Sequence, residues 1–138
     1  MQTTIKWLDG MQFVAESSSG HSVVIDGAAE VGGRDTGMRP MEMLLASMGG
    51  CSAMDVIFIL KKARQNITDC QIKLSGERAT TIPKVYTKIH LHYIISGQNL
   101  DEKQVERAVS LSAEKYCSVT LMLKKAAKVT HDFSVQQT

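Results

Sequence analysis

At 138 residues the chain is long enough for one domain with a modest hydrophobic core. Its 16 basic and 14 acidic residues leave a formal net charge of +2, and its aromatic residues are one Trp, three Tyr and three Phe. So even a charge balance and so few rings for base stacking argue against a nucleic-acid partner.

Thr3–Leu8 reads as a strand, Asp9-Gly10 as a hairpin turn and Gln12–Glu16 as the returning strand. Ser17–Gly20 makes another turn and His21–Asp26 a third strand. The opening MQTTIKWLDG lacks the basic-then-apolar pattern of a signal peptide, so a cytoplasmic location with reduced thiols is expected. Gly27–Arg39 is an irregular, glycine-rich loop containing Arg34 and Arg39. It has no G-x-x-x-x-G-K-[ST] pattern and so is not read as a phosphate cradle.

The loop enters the stretch that dominates the sequence, PMEMLLASMGGCSAMDVIFILKKAR, from Pro40 to Arg64. Pro40 suits a first helical position, and Lys61, Lys62 and Arg64 suit the negative end of a helix dipole. Between Met43 and Leu60 the only charge is Asp55, and apolar residues fall on every side of a helical projection. Such a helix needs burial all round, in a large core, against a second chain or in a bilayer. Gly49-Gly50, Ser47, Ser52 and Asp55, with no second apolar run, argue against a membrane span. A homodimer burying the helix against its own copy is the expected solution. Five of the chain's eight methionines, at 38, 41, 43, 48 and 54, crowd the region as core filler or as a soft pocket for an apolar ligand.

Beyond the helix, Asn66–Thr80 and Lys84–Ser96 read as two long antiparallel strands joined at Pro83. In the second, Val85, Thr87, Ile89, Leu91 and Tyr93 share one face and Tyr86, Lys88, His90 and His92 the other. Asn99 and Glu102 pair as a cap opening a helix over Leu100–Lys115, with Val105, Ala108, Val109, Ser112 and Ala113 as its apolar stripe. Tyr116-Cys117-Ser118 ends it, a short helix over Val119–Ala127 follows, and Val129–Val135 forms a last strand. No repeat, low-complexity tract or linker interrupts this single α+β domain.

Cys51, Cys70 and Cys117 have no C-x-x-C spacing. Cys70, in a strand, reads as a small core residue, and free cysteines are generally inert and buried. Chemistry would require an activated thiolate and a second thiol within reach. Cys51 lies about three turns into its helix, beyond the reach of the dipole, so a cation from Arg34 or Arg39 would have to serve it. Cys117 gains a positive helix end if Ser118 caps the short helix. Either thiol is a candidate for the reactive one. Asp55, one turn after Cys51, would oppose a thiolate and is expected to be paired with a lysine or arginine.

The segment GMRPMEMLLASMGGCSAMD resembles the signature of the OsmC/Ohr family, in which a Pro-x-Glu-(Leu/Met)-Leu-Leu-Ala helix start runs into a buried cysteine. EKYCSV, after the LDEKQVERAV helix, is similar to the family's second cysteine motif, and the length is that of its small YhfA-type branch. The resemblance implies an intertwined homodimer with antiparallel sheets wrapped around two central buried helices and sites at the subunit interface. It also implies thiol-dependent reduction of organic hydroperoxides. Cys51 would be oxidised to a sulfenic acid, Cys117 would resolve it as a disulfide, and an external dithiol reductant would reset the pair. An arginine, Arg34 or Arg39, would favour the thiolate and be held by a glutamate. The peroxidase branches place that glutamate directly after the proline; here Met41 stands there and Glu42 follows, nine residues before Cys51.

The remaining signals are bland. His90 and His92 share a strand face, but with Lys88 beside them and no carboxylate nearby in sequence they read as a solvated surface rather than a metal site. No G-x-S-x-G or H-E-x-x-H occurs, and no cofactor is expected. The leading expectation is a thiol peroxidase. Its rivals are a non-enzymatic dimer binding an apolar small molecule and a thiol redox sensor.

Overall fold

In the computed structural model, which describes residues 1–138, the alternating N-terminal segments fold as a three-stranded antiparallel sheet. Its strands are β1 (Thr3–Asp9), β2 (Gln12–Ser17) and β3 (Ser22–Ile25), in that order across the sheet. Gly10 takes the left-handed turn position, φ 55°, that a tight β1–β2 connection favours. The chain comprises two compact units, 1–44 and 45–138, and this sheet belongs to the first.

The glycine-rich loop is ordered by one buried carboxylate. Asp26, 1% exposed, accepts hydrogen bonds from the Gly27, Arg34 and Thr36 amides at 2.7, 3.3 and 3.2 Å and from the Thr36 hydroxyl at 2.5 Å. These bonds, the Thr36 hydroxyl foremost, hold its pKa below the ordinary 3.8 against the opposing effect of burial. The loop folds back so tightly that a side chain at Gly33 would collide with the Gly27 carbonyl. Met38 then bridges to Ile25, delivering the chain to the central helix.

That helix, α1, spans Pro40–Lys62 and closes with Arg64 in the left-handed region, φ 58°. There the Arg64 and Gln65 amides donate to the Lys61 and Leu60 carbonyls, both at 3.0 Å. By length and composition α1 is apolar enough to cross a membrane. Within one chain only the stripe Met48, Gly49, Ser52, Val56 and Leu60 is buried, while Met54 and Phe58 are 76% and 61% exposed. The all-round burial expected from the sequence is therefore not achieved by a single copy.

In the second unit β4 (Asn66–Arg78) and β5 (Tyr86–Gln98) form a long antiparallel pair, and β6 (Lys128–Gln137) lies parallel to β5, giving the order β4-β5-β6. A parallel neighbour requires a crossover. It is supplied by α2 (Glu102–Leu111), a π-helical turn (Ser112–Tyr116) and α3 (Ser118–Leu123). The core is the β5 stripe Ile89, Leu91, Tyr93 and Ile95, the α2 stripe Val105, Ala108 and Val109, and the buried face of α1.

Two local expectations are corrected. The cap of α2 is Asp101, whose side chain accepts from the Lys103 amide at 2.9 Å, whereas Asn99 adopts φ 51° in the turn before it. Tyr86, expected on the outer face, is 8% exposed and Val85 is 49% exposed. The pairing shifts between Glu77 and Arg78, and one extra residue in a strand reverses which side chains point inward.

Candidate thiol site

Each of the residues around the second cysteine motif is placed by a break in helix geometry. The π turn Ser112–Tyr116 ends α2, and Cys117 leaves it extended, at φ −72° and ψ 103°, as the N-cap of α3. Such π-helical interruptions often occur at functional sites. The Cys117 sulfur accepts from the Thr120 amide at 3.4 Å and its hydroxyl at 3.0 Å, and its thiol donates to the Met48 carbonyl of α1 at 3.9 Å. Cys117 is fully buried. Burial pushes its pKa above 9.0, the Thr120 hydrogen bonds oppose this, and the neighbouring Cys51 adds to the rise.

The two sulfurs distant in sequence do meet. The Sγ atoms of Cys51 and Cys117 and a carboxylate oxygen of Asp55 all lie within 4.8 Å of one another. Cys51, on α1, is the partly exposed member of the pair. Two thiols and a carboxylate also form a donor set that suits Zn²⁺. Cys70 lies elsewhere, half-buried on β4, its pKa raised by burial and then by Asp69.

Asp55 does not meet the expected lysine or arginine. It accepts from the Ser112 hydroxyl at 3.1 Å, at the end of a polar string through the core. The Tyr93 hydroxyl lies 2.6 Å from Ser52 Oγ, which lies 2.7 Å from Ser112 Oγ. With Ser112 donating to Asp55, the string runs Tyr93 to Ser52 to Ser112 to Asp55, and no buried polar side-chain atom is left unpaired. Burial raises the Tyr93 pKa despite these partners. Sequence reading misses the string.

Asp55 also lines a groove of about 710 Å³ between α1 and α2, together with Phe58, Ile59, Arg107, Leu111 and Tyr116. Its walls are mixed, with Gln104 and the cations Lys62 and Arg107 set among the apolar side chains. It lies beside the carboxylate that adjoins both sulfurs.

Arg34, Arg39 and Glu42 belong to the other unit and already have partners there. Arg34 pairs with Asp9 at 3.2 Å. Arg39 pairs with Asp35 at 3.6 Å and Glu42 at 3.8 Å, and Glu42 Oε1 also accepts from the Arg39 amide at 3.2 Å. Glu42 thus holds an arginine, although it stands one residue later than the peroxidase position.

On the outer face of the second sheet, the carboxylate that His90 and His92 lack nearby in sequence is brought to them by strand pairing. Parallel pairing sets Asp132 of β6 beside His92, and Asp132 Oδ1 lies 3.0 Å from His90 Nε2 and 2.7 Å from His92 Nδ1.

Residues 33–132 match the protein family described as OsmC-like protein. The chain is 49% identical over 135 residues to Protein YhfA of Escherichia coli strain K12, covering 98% of both. A hypothetical protein from Aquifex aeolicus VF5 superposes with a TM-score of 0.87 at 35% identity, over 99% of this chain and 96% of that one. The organic hydroperoxide resistance protein OsmC of Legionella pneumophila shares the fold, with a TM-score of 0.72 at 18% identity over 97% of each chain.

Proposed function

This chain belongs to the OsmC-like protein family, and from that premise we propose that it reduces organic hydroperoxides through Cys51 and Cys117. The observation that carries the reading is the meeting of the Cys51 and Cys117 sulfurs within 4.8 Å. A disulfide brings the sulfurs to about 2.05 Å, a closure of side-chain scale from such a starting point.

Cys51, the accessible member, attacks one peroxide oxygen as a thiolate. The O–O bond breaks, the alcohol leaves with a proton, and the sulfur becomes a sulfenic acid. The Cys117 thiol then attacks that sulfur, expelling water and forming the disulfide. An external dithiol restores both thiols by exchange. The raised Cys117 pKa divides the roles: as a neutral thiol it does not compete with Cys51 for the peroxide, and it gives up its proton to the departing hydroxide only as it attacks the sulfenic sulfur. The Cys51 thiolate needs a cation in this reading, and Arg34 and Arg39 are the candidates to supply it, Arg39 being paired with Glu42.

The working form in this reading is a cytoplasmic homodimer with the sheets wrapped around paired α1 helices. The exposed Met54 and Phe58 of α1 and Ile5, Trp7 and Leu8 of β1 support it, as apolar surface a partner would cover. Counting free thiols after adding tert-butyl hydroperoxide to the reduced protein is the direct test. Two thiols should be lost per chain, with Cys51→Ser losing none at the site and consuming no peroxide. Retention of both thiols at excess peroxide would overturn the reading.

The groove of about 710 Å³ favours a second reading, a non-enzymatic dimer that binds an apolar small molecule. In that case Cys51→Ser leaves both ligand affinity and stability unchanged. A redox sensor would form the disulfide without turnover.

A further inference from the structure

The outer face of the β4-β5-β6 sheet carries a convergence of ligand atoms that the thiol chemistry does not use. His90 and His92 are two apart on β5 and so point to one side. Register with β6 sets Thr130 beside His90 and Asp132 beside His92. We propose that His90 Nε2, His92 Nδ1 and Asp132 Oδ1 form a binding site for a late first-row divalent cation such as Zn²⁺ or Ni²⁺.

Both carboxylate–imidazole distances approach those of a shared ion. Zn–N and Zn–O bonds of about 2.0–2.2 Å place neighbouring ligand atoms roughly 3.0–3.4 Å apart. The Asp132 oxygen is 3.0 Å from one imidazole nitrogen and 2.7 Å from the other, so small outward rotations of partly exposed side chains open the position. Two imidazoles and a carboxylate match the preference of these ions for nitrogen and oxygen donors, and water completes the shell.

The proton arrangement also fits. A carboxylate only accepts, so in the metal-free protein both imidazoles donate their N–H to Asp132. His90 Nδ1 lies 2.7 Å from the Thr130 hydroxyl. When Nε2 binds metal, the proton moves to Nδ1 and donates to Thr130 Oγ1. That is the outer partner which fixes ring orientation in histidine–metal sites.

Three cations flank the site. Lys73 pairs in register with His92, Lys88 precedes His90 on β5, where Glu77 meets it at 3.9 Å, and Lys128 pairs with Lys88 from β6. Their repulsion limits affinity without removing a ligand, since the side chains are long and lie at the surface. The competing description is a metal-free His–Asp–His hydrogen-bonded cluster.

Titration calorimetry with ZnCl₂ separates the two, using the full chain with Cys51→Ser and Cys117→Ser so that the thiol pair cannot take the ion. One equivalent should bind per chain, and His90→Ala, His92→Ala and Asp132→Asn should each lower affinity at least tenfold while circular dichroism stays unchanged. In the same Cys51→Ser, Cys117→Ser protein, imidazole ¹⁵N spectra should show Zn²⁺ shifting His90 Nε2 and His92 Nδ1 while His21 stays in place. Absence of stoichiometric binding, binding insensitive to all three substitutions, or unmoved His90 and His92 resonances would each overturn the site.

Discussion

The Cys117 thiol is held by two donors from Thr120 and sits at the start of α3, yet its burial outweighs both. A six-residue helix contributes little dipole, and the desolvation of a thiolate costs more than two hydrogen bonds return. The consequence for stability has a definite sign. Between 9.0, the ordinary value, and the raised folded value, the native protein keeps a proton that the unfolded chain has lost. Stability from this group is therefore complete below pH 9.0 and declines as pH rises through that window. Thr120→Val removes the hydroxyl donor and should move Cys117 thiolate formation to higher pH, while Thr120→Ser should restore it. Ultraviolet thiolate absorbance in a Cys51→Ser background reads both. A Thr120→Val protein with unaltered titration would deny the hydroxyl this role.

At the level of elements, a single residue decides where α2 begins. Asp101 caps it through the Lys103 amide, and its own amide donates to Gln65 Oε1 at 2.8 Å. Asp101→Ala should cost about 0.5–2 kcal/mol in urea unfolding, whereas Asn99→Gly should be neutral or stabilising because Asn99 sits at φ 51°. Equal losses at both positions would return the cap to Asn99. This pair also marks what the sequence conveys. The local signals, strand alternation around Ile89, Leu91 and Tyr93 and the apolar periodicity of Val105, Ala108 and Val109, identify elements correctly because each depends on neighbours a few residues away. The bulge that turns Tyr86 inward and the parallel register that brings Asp132 to His92 depend on partners 8 and 40 residues off, and no local pattern encodes them. The meeting of Cys51 with Cys117 was legible only through the resemblance of two motifs, while the Ser52–Ser112–Asp55 string was not legible at all.

For the whole molecule, the question is what covers the other side of α1. Gly50, Met54 and Phe58 recur every four residues on the side away from the buried stripe of Met48, Ser52, Val56 and Leu60. Within one chain a side chain added at Gly50 meets nothing within 4 Å. A monomer would therefore tolerate Gly50→Leu, and removing a mid-helix glycine would even be expected to stabilise it by roughly 0.5–1 kcal/mol. In the proposed homodimer the same glycine lets two α1 helices approach closely, and a leucine there holds them apart. We expect Gly50→Leu to shift sedimentation from dimer to monomer and to lower the melting temperature, with Phe58→Glu doing the same by burying a charge at the contact. A Gly50→Leu protein that sediments as the parent does, with equal or greater stability, would show that α1 does not pair through this face.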